Sequence, residues 1–131
     1  MTGSAILAIL AFFVLAGIGA VVRWMAGHRW PGRHWGTLLV NVVGAFLLGL
    51  LAGSGASAAT MTIVGTGGLG ALTTFSRFAQ DAADLAEDSA SPTRNAAGRS
   101  NPTPRTAATL YVGGTLLLGL AAAWLGLEIS G

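Results

Sequence analysis

The stretch HWGTLLVNVVGAFLLGLLAGSGASAATMTIVGTGGLGALTTFS, residues 34–76, carries no Arg, Lys, Asp or Glu. A membrane helix needs about 20 mostly apolar residues to cross a hydrocarbon core of roughly 30 Å. The 43 uncharged residues between Arg33 and Arg77 are therefore too many for one crossing. The small, turn-forming run from Gly53 to Thr60 splits them into two, at about 37–52 and from Met61 onward.

The same reading extends in both directions. Nothing before Arg23 is charged, and nothing between Arg105 and Glu128. Apolar helices are expected over about 5–22 and 106–127, with the third crossing from Met61 to Phe78 and its helix continuing to about 87. The expected fold is all-α: an integral membrane protein of four transmembrane helices, forming one domain over 1–131. The first segment lacks a basic leading region and has a long apolar core, so it reads as a retained helix and not a cleaved signal.

Composition agrees. Only 9% of the 131 residues are charged, against about a quarter in a soluble domain, so this chain cannot coat a water-facing globule. There is no lysine, and the absence of cysteine excludes disulfides and thiol chemistry. The net charge of +2 does not indicate a nucleic-acid partner, because the arginines stand at loop edges and form no stripe. Arg23, Arg29 and Arg33 border the first loop; Arg77, Arg94, Arg99 and Arg105 surround the third. The positive-inside rule puts those loops in the cytoplasm and both termini outside.

Smaller features have plain readings. His28 and His34 lie among Trp24, Trp30 and Trp35 and read as interfacial side chains, since two histidines without a carboxylate make a poor metal site. Phe78, Ala82 and Leu85 recur at helical spacing among Gln80, Asp81, Asp84, Glu87 and Asp88, the pattern of an amphipathic extension with a wet face. Ser89 to Pro104 reads as a flexible linker.

The third crossing is the unusual one. Gly65, Gly67, Gly68 and Gly70 weaken a helix, each by up to about 1 kcal/mol relative to alanine. Their formal GxGxxG spacing lacks the strand and βαβ unit that dinucleotide binding requires. Two readings stand. Either glycine lets helices approach closely in lipid, or the helix breaks near 70–75 and exposes backbone groups to a buried polar cavity, a reading that Thr73, Thr74 and Ser76 favour. Asn41 either ties helices together or offers its amide N–H to an anion, and Tyr111 and Thr115, four apart, are either ties or pore lining. Phe75 and Phe78 are either ordinary apolar contacts or present positive ring edges to an anion.

Taken in order, GAVVRW (19–24), GTLLVNVVGAFLLG (36–49) and GLGALTTFSRF (68–78) closely resemble the bacterial fluoride channel family known as CrcB or Fluc. The resemblance runs from the first helix to the fourth. It implies an antiparallel dimer of four-helix subunits in the bacterial plasma membrane, conducting cytoplasmic fluoride outward through two narrow pores. By motif position it implies a fluoride pathway of Asn41, Phe75, Phe78, Thr74, Ser76, Tyr111 and Thr115. It also implies a structural sodium ion held by the backbone carbonyls of Gly70 and Thr73, with Arg23 as a family mark at the membrane edge.

Two features depart from that pattern. Arg77 stands where the family usually has a small hydroxyl residue, and it either snorkels to the interface or alters a pore mouth. The one-sided arginines oppose free insertion in both orientations, so the expected partner is either a second copy in an antiparallel homodimer or an oppositely oriented homologue in a heterodimer. Catalysis is not expected, for want of a nucleophile–base pair or metal cluster. The alternatives are a small four-helix multidrug or cation exporter and a non-conducting partner subunit. The exporter needs a membrane-embedded carboxylate, and all five acidic residues lie outside the expected crossings.

Overall fold

The computed structural model describes residues 2–29, 33–88 and 104–131. Trp30, Arg94, Arg99 and nearly all of the expected linker lie outside the described residues. The described residues form helices and turns, with no strand. Helix α1 spans Gly3–Arg29 and α2 spans Arg33–Gly53. Each continues past its apolar core, because leaving the hydrocarbon does not by itself end a helix.

A tight turn follows α2. Gly55 takes φ +67°, a left-handed conformation that costs glycine little. Ser57 then caps the next segment, its Oγ accepting the Thr60 N–H at 3.2 Å. The expected turn over 53–60 is thus shorter, since Ala58–Thr60 is already helical.

Segment α3 comprises that first turn, a π-helical stretch Met61–Leu69 and a last turn Gly70–Leu72. The wide π geometry appears in the Gly70 N–H, which bonds back to the Gly65 carbonyl five residues earlier. At Thr73 the backbone is extended, with φ −80° and ψ 157°. Helix α4 then runs Phe75–Asp88, and α5 runs Pro104–Ser130.

Three helices, α1, α2 and α5, are long and apolar enough to cross a membrane. The remaining expected crossing falls on α3 and the start of α4, whose pieces are individually too short to qualify.

Helices α2 and α5 pack most extensively. A Cβ on Gly49 would collide with the Ala123 carbonyl, and one on Gly126 with that of Phe46, so glycine sets the interhelical distance. Gly19 of α1 likewise meets the Gly68 carbonyl of α3. Little else is covered. Leu7, Phe13, Leu117 and Leu120 are all about two-thirds exposed or more, whereas the buried large apolar side chains are Val40, Leu72, Phe78 and Tyr111. Such a surface is untenable in water and ordinary in lipid, which is as apolar as leucine.

Candidate functional site

The site is built where α3 and α4 meet α2. In an unbroken helix the Thr74 N–H would donate to the Gly70 carbonyl. Here it donates to Asn41 Oδ1 at 2.9 Å, while Asn41 Nδ2 donates to the Thr74 carbonyl at 3.3 Å. One side-chain amide thereby occupies both backbone groups of one residue, and its second N–H lies outside this pair. A turn later on α2, a Cβ on Gly44 would run into the Thr73 methyl group. Asn41 and Gly44 together let α2 seat the extended residues.

Two carbonyls are released as a result. That of Gly70 receives only a long contact, 3.5 Å, from Thr73 Oγ1, which sits closer to the Leu69 carbonyl at 3.1 Å. That of Thr73 cannot bond the Arg77 N–H, because this group donates to Thr74 Oγ1 at 3.3 Å. Thr74 is therefore the N-cap of α4. Arg23 Nη1 approaches the Thr73 carbonyl at 3.5 Å, and a carbonyl oxygen keeps a second lone pair beside such a contact.

Two cavities adjoin the break and share Thr74. The first, about 380 Å³, is lined by Arg23, His28, Thr37, Ser76 and Arg77 among others. The second, about 390 Å³, is lined by Asn41, Thr73, Phe75, Phe78 and Thr115 among others. The structure thus gathers Asn41, Thr74, Phe75, Phe78 and Thr115 around one space, with Ser76 on the neighbouring one.

The two phenylalanines are not equivalent. Phe78 is buried, its ring 5.6 Å from Tyr111 and 5.8 Å from Phe75. Phe75 opens α4 and is 80% exposed. On α5, Thr115 spends its hydroxyl hydrogen on the Tyr111 carbonyl at 2.7 Å, leaving its oxygen lone pairs to face the cavity. The buried Tyr111 hydroxyl has no hydrogen-bond partner among the described residues.

One expectation needs correction. Asp81 is not on a wet face: it is 2% exposed. Its Oδ2 accepts the Thr37 hydroxyl from α2 at 2.5 Å, and its Oδ1 lies 3.2 Å from Arg77 Nε one turn earlier. Thr37 is itself buried, and neither residue was singled out as a candidate from sequence. The apolar stripe Phe78–Ala82–Leu85 contained the signal, because Asp81 is three residues after Phe78 and four before Leu85, on the same face. Asp81 lies beyond Phe78, past the end of the expected third crossing, yet it is packed between helices and not solvated. Arg77 does not simply snorkel, since it is tied to this carboxylate.

The long apolar helices, their largely apolar exterior and the extended backbone at Thr73 among packed helices define a small multi-pass membrane protein. The family model described as CrcB-like protein, Camphor Resistance (CrcB), matches residues 10–127, and the chain belongs to that family. Similar relatives include a "Fluoride-specific ion channel FluC 1" from Geobacillus kaustophilus, 37% identical over 93% of this chain and 92% of the relative. Two from Rhodococcus jostii are named FluC 1 and FluC 2, at 40% and 34% identity. They cover 84% and 86% of this chain, and 74% and 90% of their own length. All three are named as channels, not enzymes.

Proposed function

We propose that this protein is a fluoride-specific channel that lets cytoplasmic fluoride leave down its gradient and so limits its toxicity. The observation that carries the reading is the cavity where Asn41, Phe75, Phe78 and Thr115 meet the broken helix, in a chain whose relatives are named for fluoride. Fluoride is small and strongly hydrated, so a pore must replace its water with close donors. The second N–H of Asn41, the hydroxyls of Thr74, Ser76 and Tyr111, and the positive edges of Phe75 and Phe78 are such groups, while Thr115 would serve once its hydroxyl turns from the Tyr111 carbonyl toward the ion. None carries a full charge that would trap the ion, which conduction forbids.

The conducting unit is an antiparallel dimer. The strongly exposed Phe75 beside the buried Phe78 supports a pore wall completed by a second subunit. The one-sided arginines favour a heterodimer with an oppositely oriented homologue over a homodimer, and two relatives from one organism carry the names FluC 1 and FluC 2. A sodium ion fits the released carbonyls of Gly70 and Thr73, which are the hard oxygen donors such a cation takes. When bound, it supplies fixed positive charge near the anion path. The membrane is the plasma membrane, with the arginine-bearing loops inside.

Growth tests the reading in cells. A bacterial host stripped of its own fluoride export, expressing this chain alone or with an oppositely oriented homologue, should regain growth in fluoride. Failure of both strains to grow, with the protein present in the membrane, contradicts it.

A further inference from the structure

The first cavity has two guanidinium groups, Arg23 and Arg77, among its lining residues and no carboxylate. Arg77 is held in place. Its Nε is 3.2 Å from Asp81 Oδ1, and Asp81 is anchored in turn by the Thr37 hydroxyl of α2. The side chain of Arg77 is nevertheless 39% exposed. A guanidinium presents donors along a rigid planar fork. A bridge through Nε fixes one edge and leaves the opposite edge for another acceptor.

We infer that Arg77, held by Asp81, is a fixed anion receptor of the cavity and sets the fluoride concentration at which this channel fills; Asp81 is its positioning residue. The inference rests on the channel reading. A cavity walled by one sign of charge raises the local concentration of the opposite ion. An arginine whose charge is already half-answered by a buried carboxylate attracts an entering anion without holding it as a bare guanidinium would. That balance suits conduction, in which entry must be favourable and exit easy. Thr74 lines this cavity and the one at Asn41, so an anion gathered at Arg77 stands next to the pathway.

The test is fluoride flux from proteoliposomes over a series of fluoride concentrations, using the chain in whichever dimer conducts. Arg77→Gln should raise the half-saturating fluoride concentration about fivefold at low ionic strength, the effect of one water-screened unit charge at contact distance. The maximal rate should stay within about twofold, and the difference should shrink as inert salt is added. Arg77→Lys should recover part of the shift. Asp81→Asn, which bares the guanidinium, should lower the half-saturating concentration and slow the release of fluoride, and in the Arg77→Gln background it should produce no such lowering, because both act through one group. An Arg77→Gln channel with unchanged concentration dependence, or with only its maximal rate lowered, overturns the inference while leaving the channel intact. Absence of fluoride flux from the unaltered protein instead overturns the channel reading itself.

Discussion

Asn41 grips Thr74 by both ends of its backbone: Oδ1 accepts the N–H at 2.9 Å and Nδ2 donates to the carbonyl at 3.3 Å. The contact converts a potential liability, two backbone groups orphaned by a helix break, into the joint that holds the break open. Asn41→Ala removes both partners and should destabilise the protein by about 1–3 kcal/mol, read as a lower unfolding temperature in detergent, and should cut fluoride flux at least tenfold. Normal flux with unchanged stability would show that the grip is dispensable.

Phe75 and Phe78 should separate stability from conduction. Phe78 is buried against Tyr111, so Phe78→Ala should cost about 3–5 kcal/mol. Phe75 is 80% exposed on the chain, and Phe75→Ala should leave subunit unfolding nearly unchanged while abolishing flux. Lipid-facing phenylalanine would give the opposite result for the second variant, with flux retained. Thermal melts and liposome flux on the same preparations distinguish the two.

Gly49 abuts the Ala123 carbonyl with no room for a side chain. Gly49→Val should force α2 and α5 apart at a cost of about 1–3 kcal/mol. Cross-linking yield between cysteines placed on the two helices should fall with it. An unaltered melt and yield would mean that this approach is not tight.

Removal of sodium should slow conduction. Exchanging Na⁺ for a large organic cation on both sides of the membrane should reduce fluoride flux severalfold, and returning Na⁺ should restore it. Flux indifferent to the cation would remove the role assigned to the Gly70 and Thr73 carbonyls.

The membrane character of the chain was legible in where its few charges stand, because burying an arginine or carboxylate in hydrocarbon is costly. The Thr73–Thr74 pair stands just after the glycine-weakened run that ends at Gly70, and the partner that meets Thr74 is Asn41 on α2. Its actual use differs from both readings taken singly, since the same side chain ties helices and borders the cavity. Asp81 was misread because a carboxylate amid Gln80, Asp84 and Glu87 looks like part of a solvated face. Its burial comes from α2, through Thr37, and from its neighbour Arg77. Such a long-range contact, joining residues 37 and 81, leaves no mark on local composition. The inequality of Phe75 and Phe78 was hidden for a related reason: a spacing of three puts them on similar sides of α4, but only Phe78 lies far enough along it to reach Tyr111 on α5.

The most direct measurement of the central claim is efflux from liposomes loaded in parallel with fluoride or chloride, containing the purified protein alone or paired with an oppositely oriented homologue. Fluoride should leave rapidly and chloride should stay, and Asn41→Ala should remove the fluoride component. No fluoride efflux in either preparation, or fluoride and chloride leaving at equal rates, would contradict a fluoride-specific channel.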